Sequence, residues 1–334
     1  MRQEKRLSQL TNIRALAIFM VVLGHSIILY SSSWDLYKTS VSAPFLDALK
    51  KVIDIPQMLL FFSLSGYLFV FTHSKKRGLV PLLKSKSLRL LIPYFAIGLC
   101  FLFPIRLAIG FPSYQNMGIG DFALKLLNSS DVGHLWFLPA LFFVFLLSEI
   151  ILTIAGKIPG IKKYPELFLC MAAFVLYLEG YRISFGYAPL QSAYSYLLWF
   201  SLGYAANIRQ DTLKKIYAVT PVKWVLIGLN LLLIGYSAVI GSMRVLLQLL
   251  MKGLCVVNAF GAVPKKACTL AEKIDRNSFG IYLFHSPLIY ITFATIPNAR
   301  PAIVVLINLV VFGAAAYGLT ALIRKTKLKA LIGE

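Results

Sequence analysis

Residues 12–33 read Asn12-Ile-Arg14-Ala-Leu-Ala-Ile-Phe-Met-Val-Val-Leu-Gly-His25-Ser-Ile-Ile-Leu-Tyr30-Ser-Ser-Ser33. A hydrocarbon core about 30 Å thick takes about 20 residues of helix. The run 13–33 is long enough and almost wholly apolar, so it reads as a transmembrane helix with Asn12 as its cap. Arg14 and His25 interrupt it, and an ionisable group inside a span costs a few kcal/mol and marks function by default. Eleven residues at about 100° each make three turns plus about 20°, so the two share one face, about 16 Å apart along the axis. That places Arg14 near the inner headgroups and His25 near mid-membrane. A snorkelling Arg beside a structural His is the bland reading, and their alignment argues against it. The basic start and the three serines suit a cleaved signal peptide, but Arg14, His25 and the length of the run argue for a retained helix.

Nine more apolar runs follow, at 56–72, 88–109, 135–155, 166–180, 187–206, 222–241, 245–263, 279–297 and 301–323. The fold class expected is an all-α polytopic membrane protein of about ten transmembrane helices, forming one domain over 1–334 with no soluble domain added. Composition agrees. Apolar residues make up 58% of the 334 and charged residues 14%, against about 45–50% and about 25% in soluble domains. Mean hydropathy is +0.75. That excludes a soluble globule and a disordered chain, and four cysteines exclude a disulfide scaffold.

The net charge of +21 would suggest nucleic acid in a soluble protein. Here the cations alternate by loop. One side holds Arg2, Lys5 and Arg6; Lys75, Lys76, Arg77, Lys84, Lys86 and Arg89; Lys157, Lys162 and Lys163; Arg209, Lys214, Lys215 and Lys223; Lys265, Lys266, Lys273 and Arg276; and Arg324, Lys325, Lys327 and Lys329. These are 24, against seven on the other side: Lys38, Lys50, Lys51, Lys125, Arg182, Arg244 and Arg300. The bias places both termini in the cytoplasm and accounts for the charge through topology and anionic lipid, with no nucleic acid. Cys100, Cys170 and Cys255 fall in spans and Cys268 in a cytoplasmic loop, so no disulfide is expected.

Other polar residues stand out against this background. In Ser278-Phe-Gly-Ile-Tyr282-Leu-Phe-His285-Ser-Pro287, a second His lies about 12 Å into the ninth span, with Tyr282 on the same side and Pro287 opening the helix ladder beyond it. A packing His beside a proline kink reads the segment equally well. Arg244, Gln248 and Lys252 form a polar stripe, with Glu149 or Glu179 as candidate partners of Lys252; it is a substrate path or a structural stripe. His134 and Trp136 open the fourth span at the outer interface, where Trp136 suits an aromatic belt. His73 reads as a surface residue at the inner interface. Lys86 and Arg89 enter the third span one turn apart, as lipid-bound topology determinants or as a phosphate receptor.

Five passages together resemble the acyltransferase-3 family of integral membrane acyltransferases. They are Asn12-Ile-Arg14 through Gly24-His25, matching the family's Arg, ten residues, His pattern; Phe61-Phe-Ser-Leu-Ser65-Gly66-Tyr67-Leu; Lys86-Ser-Leu-Arg89-Leu-Leu-Ile-Pro93-Tyr94, similar to its R-x-x-R motif before a proline; His134-Leu-Trp136-Phe-Leu; and Ser278 through His285. Lys86 departs from the family's usual Arg, keeping charge but losing the planar fork. The hydrolase-like domain that some members append does not follow.

The resemblance implies ten helices and transfer of an acyl group, usually acetyl from cytoplasmic acetyl-CoA, to a hydroxyl of a cell-surface or lipid-linked carbohydrate. The enzyme would be a multi-pass protein of the plasma (inner) membrane, with no metal. It maps the key His onto His25 and the donor's cations onto Arg14, Lys86 and Arg89. His25 would act as general base or carry the acyl group itself, and sequence does not choose between them. His285 and Tyr282 are candidates to orient the acceptor or His25, and His134, Trp136 and Lys252 complete the set. The rival class is a transporter or flippase for a glycan or lipid-linked sugar, which ten spans and a polar stripe also suit.

Overall fold

The computed structural model describes residues 2–34, 36–75, 78–180, 186–240 and 243–334, with the backbone alone for residues 2–7, 74 and 75. Lys76, Arg77 and Arg182, counted above for topology, lie outside the described residues, as do the side chains of Arg2, Lys5, Arg6 and Lys75. The described residues are mostly helical and contain no strand. In chain order the helices are α1 (Arg2–Ile27), α2 (Pro44–Asp54), α3 (Pro56–Lys75), α4 (Leu79–Lys86), α5 (Ile92–Ile97), α6 (Phe103–Ala108), α7 (Ile119–Asn128), α8 (Phe137–Lys157), α9 (Pro165–Glu179), α10 (Ala188–Ile208), α11 (Gln210–Ala218), α12 (Thr220–Ile240), α13 (Val245–Ala262), α14 (Thr269–Thr295), α15 (Pro301–Leu306) and α16 (Gly313–Arg324).

Each predicted span falls on helix, and among the described residues seven segments are long and apolar enough to cross a membrane: Ser8–Tyr30, Pro44–His73, Leu79–Ala108, Gly133–Lys157, Thr220–Ile240, Val245–Ala262 and Pro301–Arg324. Three predicted spans do not qualify. The one at 166–180 falls on α9, which has 15 residues. Those at 187–206 and 279–297 fall on α10 and α14, which are long but carry Gln191, Ser195, Ser201 and Asn207 in one and Asn277, Ser278, His285 and Ser286 in the other. In the first span α1 extends through the polar N-terminal turns and stops at Ile27, before the serine run, with His25 in its last turn.

The chain packs as two compact units. One comprises 1–17, 55–86 and 140–272; the other comprises 18–54, 87–139 and 273–334. In the first unit α3 and α10 meet backbone to backbone. A Cβ on Gly66 would lie 1.9 Å from the Phe200 carbonyl oxygen, and one on Gly203 1.8 Å from that of Ser63. Small residues let membrane helices approach this closely, which replaces the hydrophobic drive that lipid does not supply. Asn207 Nδ2 donates to the Tyr67 carbonyl at 2.7 Å across the same seam. Asn230 on α12 donates to the Met251 carbonyl of α13 at 2.9 Å, and Arg209 pairs with the buried Glu166.

In the second unit α14 lies against α16, where a Cβ on Gly280 would meet Thr320 at 2.2 Å. Thr292 Oγ1 donates to Asn308 Oδ1 at 2.7 Å, and Asn308 Nδ2 donates to the Ser26 carbonyl at 3.4 Å. Arg324 is held by Asn277 at 2.6 Å and by the Glu334 carboxylate at 2.8 Å. All four cysteines are free.

Candidate active site

The second unit gathers three histidines from three helical segments. His25 comes from the last turn of α1, His134 from the 3-10 turn Gly133–Trp136 ahead of α8, and His285 from the middle of α14. Ring centroids are 4.9 Å apart for His25 and His285, 5.2 Å for His134 and His285, and 6.4 Å for His25 and His134, each pair edge to face. His285 is fully buried and His134 is 4% exposed, while His25 is half-buried.

The hydrogen bonds assign the protons. Nδ1 of His285 faces the carbonyls of Ile281 at 3.0 Å and Tyr282 at 2.8 Å. Carbonyls only accept, so Nδ1 carries hydrogen and Nε2 offers its lone pair. Nδ1 of His25 lies 2.9 Å from the Val21 carbonyl and 3.2 Å from Nε2 of His285. It therefore also carries hydrogen, shared between two acceptors. Nε2 of His25 is left with its lone pair, and among the described residues it takes no hydrogen bond. His134 donates from Nε2 to the Leu283 carbonyl at 3.0 Å. Its Nδ1 is then an acceptor, buried and without a partner among the described residues. One consistent set of neutral tautomers follows, in which neither of the other two histidines takes up the Nε2 lone pair of His25.

Tyr282 reaches the cluster differently from the sequence expectation. Its hydroxyl donates to the His134 carbonyl, and its ring lies 5.4 Å from that of His134 and 5.5 Å from that of Phe137. It touches the backbone that carries His134. Trp136 follows on the same turn, half-buried. α14 runs on through Pro287 to Thr295, and Ser286 Oγ is buried without a partner among the described residues.

The remaining candidates are distributed otherwise. Arg14, Lys86 and Lys252 belong to the first unit and Arg89 to the second. Lys86 ends α4 with its Nζ 3.5 Å over the Phe145 ring. Arg89 is exposed and sits in a π turn, Ser87–Leu91, so the α-helical spacing expected for the pair does not hold across it. Lys252 is half-buried on α13. Glu149, named above as its candidate partner, instead accepts from His73 Nδ1 at 2.7 Å and from the Gly78 amide at 3.1 Å. His73 is thus hydrogen-bonded to a carboxylate whose side chain is 2% exposed, and is itself only 21% exposed, not a bare surface residue.

Arg106 was missed by sequence reasoning. It lies in α6, inside an apolar run, and is 1% exposed. Nη1 donates to the Tyr114 hydroxyl at 2.8 Å and to the Asp131 carbonyl at 2.9 Å, with the Asp131 carboxylate at 3.5 Å. The guanidinium stacks 4.2 Å from the Phe111 ring. The signal was present, since an Arg inside a span is as anomalous as Arg14, but no motif drew attention to it.

A family model described as an acyltransferase domain matches residues 7–324. Neither curated proteins nor solved structures gave a significant match.

Proposed function

The chain belongs to the acyltransferase-3 family, and from that premise we propose that it moves an acetyl group from acetyl-CoA to a hydroxyl of a cell-surface or lipid-linked carbohydrate. The observation that carries the reading is the open Nε2 of His25, set by the tautomers of its neighbours. A neutral imidazole held this way has the lone pair that proton abstraction or acyl capture needs. In the first route Nε2 takes the proton of the sugar hydroxyl, the oxygen attacks the thioester carbonyl, the C–S bond breaks, and the thiolate leaves with the proton returned from the imidazolium. In the second, Nε2 attacks the thioester, the C–S bond breaks and CoA leaves as the thiolate; the sugar hydroxyl then attacks the acetyl carbon, the C–N bond breaks to return the lone pair to Nε2, and the hydroxyl proton passes by way of solvent to the thiolate. The position of His25 in the last turn of α1 suits an acceptor that arrives from that end of the helix.

Arg14, Lys86 and Arg89 are the cations assigned to the donor's phosphates, by motif and charge. The same reading places ten spans in the inner membrane, both termini in the cytoplasm, and the two packed units at work as one acyltransferase domain. His25→Ala should abolish acetyl transfer in membrane vesicles, by about 10²–10⁴-fold as for loss of a general base. A folded variant that retains transfer removes His25 from both routes. Arg89→Ala should weaken acetyl-CoA binding by purified protein, and unchanged binding would discard that docking assignment.

A further inference from the structure

We propose that Arg106 is the positioning residue for His134, clamping the strained loop that delivers this histidine to the cluster. The inference rests on the acyl-transfer reading for its activity readout, though not for its structural one.

The loop between α7 and α8 carries three left-handed residues in alternation: Ser129 at φ 51°, Asp131 at φ 55° and Gly133 at φ 54°. Non-glycine residues in this region cost about 1–2 kcal/mol each and persist only where the surroundings over-determine them. The surroundings here are specific. At the start of the loop the Tyr94 hydroxyl donates to the Leu126 carbonyl at 2.6 Å and lies 2.8 Å from Ser129 Oγ. At its middle the Asp131 carbonyl accepts from Arg106 Nη1 at 2.9 Å and from the Tyr114 hydroxyl at 2.7 Å. At its end Arg106 lies beneath Gly133, where a Cβ would come within 2.4 Å of Nη2. The next residue is His134, whose ring and carbonyl are fixed by α14.

Burying a guanidinium costs several kcal/mol, which its partners must offset. Here the offsetting contacts converge on Asp131 and Gly133, the residues that set the direction in which the chain enters the 3-10 turn. The planar fork matters: one group bonds the Asp131 carbonyl, fills the space under Gly133 and stacks on Phe111. A lysine would keep the charge but make only part of this set. Burial pushes the Tyr114 phenol up to about 12, so it stays protonated and goes on donating to Asp131 at any working pH.

The test is a double-mutant cycle in membrane vesicles, following radiolabelled acetyl from acetyl-CoA into envelope carbohydrate. Arg106→Met should lower transfer by about a hundredfold, the scale of a misplacement near the chemistry, and Arg106→Lys should recover part of it. In a His134→Ala background, Arg106→Met should add less than about twofold, because residues acting as one unit are non-additive. Diethyl pyrocarbonate mapped by mass spectrometry gives the second readout: His134 should become reactive in Arg106→Met while His285 stays protected. Gly133→Ala, which attacks the same contact from the other side, should match both results if Arg106→Met does not fold. Equal losses in both backgrounds, or an Arg106→Met protein with His134 still protected, would overturn the proposal. Absence of acetyl transfer by the wild-type protein defeats the acyl-transfer reading instead, and the His134 reactivity still decides the positioning.

Discussion

His285 and His25 illustrate how one residue sets the chemistry of another. By accepting from Nδ1 of His25 at 3.2 Å, His285 keeps the proton on the nitrogen that faces the helix and leaves Nε2 open. His285→Ala should therefore lower turnover by about 10²-fold while leaving the acetyl-CoA dissociation constant unchanged, as expected when a tautomer or ring orientation is lost and donor binding is not. A rise in the dissociation constant with turnover intact would contradict this role. The sequence exposed His25 and His285 because each stands alone in an apolar run. It could not show that they meet, since 260 positions separate them along the chain. His134 was read as interfacial because it opens a span; its burial depends on α14 lying across it, and no local pattern encodes that.

At the scale of the element, hydropathy located the spans but not their ends. α14 begins at Thr269, ten residues before the apolar run, because Glu272, Lys273, Asp275 and Arg276 are tolerated in a helix that hydropathy alone does not credit. The π turns at Ser87–Leu91, Gly98–Leu102 and Ile307–Phe312 have no sequence signature and were not foreseen. The Ser63–Gly66 passage, noticed as part of a family pattern, has a plain physical reason in the close approach of α3 and α10. Gly66→Ala should destabilise the protein by about 1–3 kcal/mol or more, since the added methyl meets a carbonyl oxygen that cannot move aside. Gly228→Ala on α12, with nothing within 4 Å of its Cβ, serves as the neutral control. Thermal unfolding in detergent compares the two, and equal midpoints would remove the seam from the account of stability.

For the molecule as a whole, the count of crossings decides the topology. Seven crossings would leave the two termini on opposite faces, and ten leave them on the same face. α9, α10 and α14 make the difference: α9 is too short, and α10 and α14 are too polar, to qualify by length and composition. Reporter fusions at each end should both signal cytoplasm. Cys268, exposed between α13 and α14, should react with a membrane-impermeant maleimide in inside-out vesicles and not in intact cells. Labelling in intact cells would invert the proposed orientation.

The α3–α10 seam has a consequence in time as well as in stability. Where carbonyl oxygens press on a neighbouring glycine, no side chain can rotate away to start a local opening, and Asn207 adds a cross-link at 2.7 Å. Amide protons along this pair should be the slowest in the chain to exchange with deuterium, tracking global unfolding, while those on the sparsely covered α12 exchange through smaller excursions.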